Sequence, residues 1–173
     1  MRPVVPVLVL ALTAIAACAS PRYGPPPPPS GPAFDPAELA WSQRPGVAAI
    51  RGQLSYTGAM GAYTCRNAVV ALMPDSPYSR RRIQRLYGAV DRAAVPVSVV
   101  RSRQAGQPSD AFQKLVRTSR CDADSRFGFD QLPQGGWFVI VQAKPHSGEG
   151  EAVALLRRVQ TGRTPQVRSV VLQ

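Results

Sequence analysis

Three cysteines, one histidine and a group of aspartates are the residues of this chain with the most obvious chemistry. The cysteines are Cys18, Cys65 and Cys121, and the histidine is His146. A catalytic thiol works as a thiolate and wants a base beside it. The surroundings of His146, KPHSGEGE, carry no catalytic pattern and read as a solvated hairpin loop. The stretch RCDADSRFGFDQLPQGGW, residues 120–137, gathers Asp122, Asp124 and Asp130 near Cys121. A calcium loop needs acids at alternating positions closed by a distal glutamate. No glutamate closes this set, and Arg120 and Arg126 offset its charge. The aspartates therefore read as turn formers that bond their own backbone. No metal, cofactor or catalytic residue is expected.

Arginine is the other chemically capable group. Lysine and arginine number 21 against 10 acids, a formal charge of +11, and Lys114 and Lys144 are the only lysines. The guanidinium fork grips carboxylate and phosphate in a bidentate way. Arg80, Arg81, Arg82 and Arg85 cluster in DSPYSRRRIQRLYG, a helix signal in which Ser76 can cap, Pro77 suits the first position and Gly88 supplies the stop. Ile83, Leu86 and Tyr87 share one face, and Arg81, Arg82 and Arg85 point the other way. Positive charge in a first helical turn opposes the macrodipole, by about 0.3–1 kcal/mol per residue. A local rule broken without visible compensation marks the four arginines as a candidate anion-binding site. The alternative is an arginine-rich composition that gives a merely solvated basic face.

The elements that would carry these residues begin with a leader. Met1-Arg2-Pro3 is a short basic start, and the apolar run Val4 to Ala17 is shorter than the roughly 20 residues a spanning helix needs. It closes in Ile15-Ala16-Ala17-Cys18, which resembles the lipobox of bacterial lipoproteins; the resemblance implies cleavage before Cys18 and a diacylglycerol on its thiol. An ordinary signal peptide cut after Ala17 or near Ser20 is the alternative. An exported compartment is oxidising, and with Cys18 acylated the remaining Cys65 and Cys121 are expected to pair. Residues 18–45 are proline-rich and read as a disordered spacer, extended at about 3.1 Å per residue. Within it, FDPAELAW can form a helical turn with Asp35 as cap and Pro36 at the first position.

From Val47 the period becomes two. In VAAIRGQLSY, Ala48, Ile50, Gly52, Leu54 and Tyr56 fall on one face. TGAMGAYT reads as a turn and CRNAVVALMP as a strand stopped by Pro74. VPVSVVRS and AFQKLVRTSRC are expected as strands, DADS as a tight turn, RFGFDQL as the partner strand, and PQGG as the turn into WFVIVQAKP. EAVALLRRV and PQVRSVVLQ flank the turn QTGRT. Seven or eight short strands with frequent turns predict an all-β sandwich over residues 46–173 with one short inserted helix.

The stretch CDADSRFGFDQLPQGGWFVIV is similar to the core of carboxypeptidase regulatory-like domains, collagen-adhesin B-type repeats and transthyretin-like folds. Its acidic turn, Phe127 and Phe129, the turn Leu132 to Gly135 and the strand Trp137 to Val141 carry the likeness. IRGQLSY and AVVALMP fit the start of the pattern, while Ser125 stands where the family usually has a turn glycine, so a wider loop is expected. The resemblance implies a prealbumin-like or Ig-like sandwich without catalytic activity.

Together these readings give a non-enzymatic module, lipid-anchored through Cys18, presenting a basic sandwich to an anionic envelope component. Ala19 after the cysteine favours the outer membrane, facing the periplasm, in a Gram-negative cell. The partners expected are the membrane, an anionic lipid or glycan, or another envelope protein, and not nucleic acid. A structural or assembly subunit is the alternative; an enzyme is the third reading.

Overall fold

The computed structural model describes residues 34–103, 106 and 108–173; the leader, Cys18 and the proline run up to residue 33 lie outside the described residues. The chain enters through a 3₁₀ helix, Pro36–Gln43, in which the Asp35 carboxylate accepts from the Ala37 N–H at 2.9 Å. Then follow β1 (Ala48–Leu54), β2 (Thr57–Gly58), β3 (Gly61–Thr64), β4 (Val69–Pro74), α1 (Pro77–Tyr87), β5 (Arg92–Pro96), α2 (Val97–Ser102), α3 (Asp110–Gln113), β6 (Arg117–Arg120), β7 (Arg126–Leu132), β8 (Gly135–Pro145), β9 (Val153–Thr161) and β10 (Gln166–Leu172).

The strands form two sheets. One has the order β10-β1-β7, with β1 parallel to β10 and antiparallel to β7. The other has β8 at its centre, with β4 and then β6 on one side and β9 and then β5 on the other; β3 continues along the β4 edge of β8 and pairs with β2. Between the sheets pack Ile50, Leu54, Val70, Leu72, Phe127, Phe129, Trp137, Val139, Leu155 and Leu172, with the disulfide. Gly52 of β1 faces Phe127 across the strand pair, and a Cβ there would overlap the Phe127 ring. The all-β sandwich expected from the period-two pattern is the fold, with ten strands among the described residues because TGAMGAYT forms the β2-β3 hairpin.

A second apolar layer lies on the other face of the larger sheet. Phe138 of β8 and Ala154 and Leu156 of β9 pack there with Leu39, Met73, Ile83, Tyr87, Val97 and Phe112. Strands covered on both faces read as near-continuous apolar runs instead of alternating ones, which accounts for WFVIV and VALL. The single inserted helix is thus one of three α-helices among the described residues. VPVSVVRS is not a strand throughout: it leaves β5 at Pro96 and becomes α2, whose start is satisfied by Ala152 O accepting from Val97 N at 2.9 Å and the Glu151 carboxylate accepting from Ser98 N at 3.1 Å. AFQKLVRTSRC divides into α3, capped by Ser109 with Phe112 buried, and β6.

Two further expectations change. Residues 34–43, expected as spacer, pack on the sandwich: Leu39 is fully buried in the second layer, Trp41 packs edge-on against Trp137 at 5.1 Å, and the Arg117 guanidinium donates to Ser42 O at 2.6 Å. The apolar side chains of the 3₁₀ helix are what bring it onto the domain. DADS does not close a hairpin either. β6 pairs with β4 and β7 with β1, so the turn carries the chain from one sheet to the other.

Candidate functional site

The disulfide and its turn come first. Cys65 and Cys121 are bonded, S–S 2.09 Å with Cα atoms 5.7 Å apart, and both are buried. The Asp122 carboxylate accepts from Asp124 N at 2.9 Å and Arg126 N at 2.8 Å, the turn role its residue type implies. Ser125 adopts φ 59° in place of the glycine of the resembled pattern. Its hydroxyl accepts from Cys65 N at 3.2 Å and lies 2.8 Å from the Thr64 hydroxyl, while Ser125 N donates to Asp122 O at 3.2 Å. The loop is therefore tight, not wider: the side-chain bonds of Ser125 offset the cost of a left-handed conformation.

The helix arginines separate on inspection of their partners. Ser76 and Ser79 form a reciprocal capping box at the start of α1, and Gly88 closes it at φ 77°. Ile83 and Tyr87 are buried beneath it; burial pushes the Tyr87 phenol up to about 12, partly countered by the nearby Arg82 charge. Arg80 makes a bidentate pair with Asp75, Nε to Oδ1 at 2.6 Å and Nη2 to Oδ2 at 3.0 Å. This hydrogen-bonded ion pair raises the Arg80 pKa. Asp75 is 2% exposed and also binds Arg158 of β9 through Oδ2, at 2.7 Å from Nε and 2.6 Å from Nη2. The positive charge at the first turn of α1 therefore has a compensation at Arg80, in the Asp75 that directly precedes the cap Ser76. Arg81 and Arg85 are exposed and Arg82 is half-buried.

A second arginine group lies where the sandwich opens. Along β9 the inward positions Val153 and Leu155 are succeeded by Arg157 and Val159; along β10 the inward positions Leu172 and Val170 are preceded by Arg168. Positions that alternation reserves for the core thus carry arginine in both strands. The two sheets leave an open cleft of about 310 Å³ there, lined by residues 157–160 and 168–171. β10 is an edge strand paired only with β1, and β9 beyond Arg158 has a strand on one side only.

Arg157 also stands directly opposite Arg92 of β5. Like charges at directly opposed positions destabilise a strand pair. Among the described residues, Arg92, Arg157 and Arg168 form no ion pair, whereas Arg158, which also lines the cleft, is held by Asp75 and lies 3.6 Å from Asp91. Strand periodicity does not single these residues out, because β9 and β10 read as ordinary strands. The signal is the arginine at an inward position, and it becomes readable only once the facing strand is known.

Gln160 and Ser169 border the cleft but alternate away from it, the Gln160 amide toward Gly136 and Asp75 and Ser169 beside Arg51, while Val159 and Val170 adjoin the cleft from the core. With Arg157 and Arg168 at its inward positions, such a lining can hold an oxyanion. Among the described residues no group of three or more His, Cys, Asp or Glu side chains gathers for a metal ion. No described helix is long and apolar enough to cross a membrane. No family model matches the chain, and no curated protein matches its sequence. The crystal structure of a Pseudomonas aeruginosa protein provisionally named as carbohydrate binding is similar, with a TM-score of 0.62 and 24% identity, covering 82% of this chain and 97% of that one. At that identity the likeness is one of fold.

Proposed function

We propose that this chain is a non-enzymatic module of the bacterial cell envelope, tethered by an acylated Cys18, that binds an anionic envelope component in the cleft between β9 and β10. The observation that carries the proposal is the cleft's uncompensated charge: Arg157 and Arg168 line it, Arg92 stands opposite Arg157, and none of the three meets a carboxylate among the described residues. An anion would supply the missing counter-charge. The binding role named for the similar crystal structure supports the reading. The site thereby moves from the α1 cluster to the open edge of the sandwich.

The test is retention of the purified chain on immobilised anionic polymers and lipids. Replacing Arg157 and Arg168 by glutamine is expected to weaken retention at least tenfold, since a charge-assisted hydrogen bond contributes roughly 1.5–3 kcal/mol. Unchanged retention of the double variant, with the chain still folded, refutes the cleft. Loss of membrane association in Cys18→Ser checks the anchor.

A second reading, an assembly subunit, has one observation in its favour. β10 is an edge strand that exposes Val167 at 63% and Val171 at 48%, and such an edge is open to pairing with another chain. Capture of a protein partner that survives high salt and is lost on Val167→Lys would favour it.

A further inference from the structure

We infer that the occupant of the cleft is a single strand of an acidic polysaccharide, its anionic substituent held by Arg157 and Arg168. This rests on the reading of the chain as an anion-binding module and names the class of ligand.

The shape argues for a strand. Each wall is four residues of β-strand, about 13 Å at roughly 3.3 Å per residue. The enclosed volume of about 310 Å³ is small for an enclosed ligand site, and it is open to solvent. A polymer can lie in such a slot and continue beyond it. A bilayer offers its phosphates on a plane, which a slot between two sheets meets poorly, and an acyl chain would want an apolar lining.

The lining argues for sugar. Beside the forks of Arg157 and Arg168, the inward-facing Val159 and Val170 give the slot a small apolar area suited to the C–H face of a ring. The charge argues for acidity. Arg158 cannot be counted toward the ligand, because Asp75 takes its Nε and Nη2. Arg157 and Arg168 retain their forks, and Arg92 adds to the field from beside Arg157. A planar fork suits a carboxylate or a phosphate ester equally, so the shared chemistry is an oxyanion carried on a glycan chain.

The test uses the full chain with Cys18→Ser, so that no acyl group tethers it, titrated with an oligogalacturonate, with its methyl ester, with a glycan phosphodiester and with phosphatidylglycerol vesicles. Calorimetry should show binding of an acidic glycan that weakens at least about tenfold on esterification or in Arg157→Gln and Arg168→Gln. Affinity should fall with added salt, and the Arg81→Gln and Arg85→Gln variants should bind as the parent does. Binding of the phosphodiester alone keeps the inference and fixes the oxyanion as phosphate. Arg157-dependent binding of vesicles without either glycan overturns the polysaccharide and leaves the anion reading intact. Equal binding of acid and ester, or binding indifferent to Arg157 and Arg168, overturns both.

Discussion

Two groups of arginines decorate this small sandwich, and they differ in what they face. Arg80 and Arg158 come from α1 and β9 and converge on the buried carboxylate of Asp75. Arg92, Arg157 and Arg168 come from β5, β9 and β10 and meet no acid among the described residues. The adjacent positions 157 and 158 of one strand thus belong to opposite regimes. Arg158 points toward the helical layer and completes a structural node; Arg157 points toward the other sheet and adds charge to an open edge. Arginine density, which draws attention to RRR in α1, locates the part of the molecule where one arginine is already used. What sets the cleft apart is the distribution of the 10 acids, none of which pairs with Arg92, Arg157 or Arg168.

The strongest way to break the comparison is to remove Asp75. Asp75→Ala leaves Arg80 and Arg158 without their shared counter-ion and without the anchor that ties α1 to β9. Breaking a buried pair costs about 3–5 kcal/mol; because both arginines keep some water, roughly 2–4 kcal/mol is expected here. Urea unfolding measures it. A loss below about 1 kcal/mol would mean that the node is no more structural than the cleft.

Alkaline titration sharpens the same side. The Tyr87 phenol stays protonated in the folded chain up to about 12 because it is buried, while in the unfolded chain it ionises near 10. Between those values the unfolded state binds fewer protons, so stability falls as pH rises from 10 to 12, by about 2–3 kcal/mol in all. Tyr87→Phe should flatten that part of the profile. Arg82→Gln should steepen it, since the Arg82 charge favours the phenolate. No change in either variant would show that the helix face is not packed as described.

What could be read from the chain follows the same division between local and non-local causes. The caps of α1 are local: Ser76, Pro77 and Gly88 suffice to place it, and it spans Pro77–Tyr87. The period of β1 and the turn bonds of Asp122 are local as well, and the Cys65 to Cys121 pairing is the one that the reading of an exported chain with Cys18 set aside predicts. The second apolar layer is not local. VPVSVVRS has strand-forming valines, yet Val97 is buried in the helical layer and Glu151, 53 residues beyond Ser98, caps the helix that the propensity alone would not start. Ser125 shows the converse: its residue type argues against a tight turn, and hydrogen bonds to Cys65 and Thr64 from another part of the chain make the turn possible. The cleft fails for the same reason. Arg157 looks like an outward strand residue until the position of β10 is known.

A smaller effect separates the adjacent arginines directly. Arg158→Gln removes two bonds to Asp75 and leaves that carboxylate, 2% exposed, with Arg80 alone. A cost of about 1–3 kcal/mol is expected, the usual range for under-satisfying a buried polar group. Anion binding in the cleft should change little, because this guanidinium is already occupied.

Arg157→Gln should move stability the other way. The substitution keeps the length and polarity of a strand residue while removing one of two like charges set directly opposite each other on β5 and β9. Relief of such a pair is worth roughly 0.2–1 kcal/mol, so the variant should be more stable by a few tenths, with the gain shrinking as salt screens the repulsion in the parent. Paired with the expected loss of anion binding, a small gain in the urea midpoint would identify Arg157 as a residue kept at a cost to the fold. A destabilisation comparable to that of Arg158→Gln would instead place both arginines in the structural class and remove the distinction on which the cleft rests.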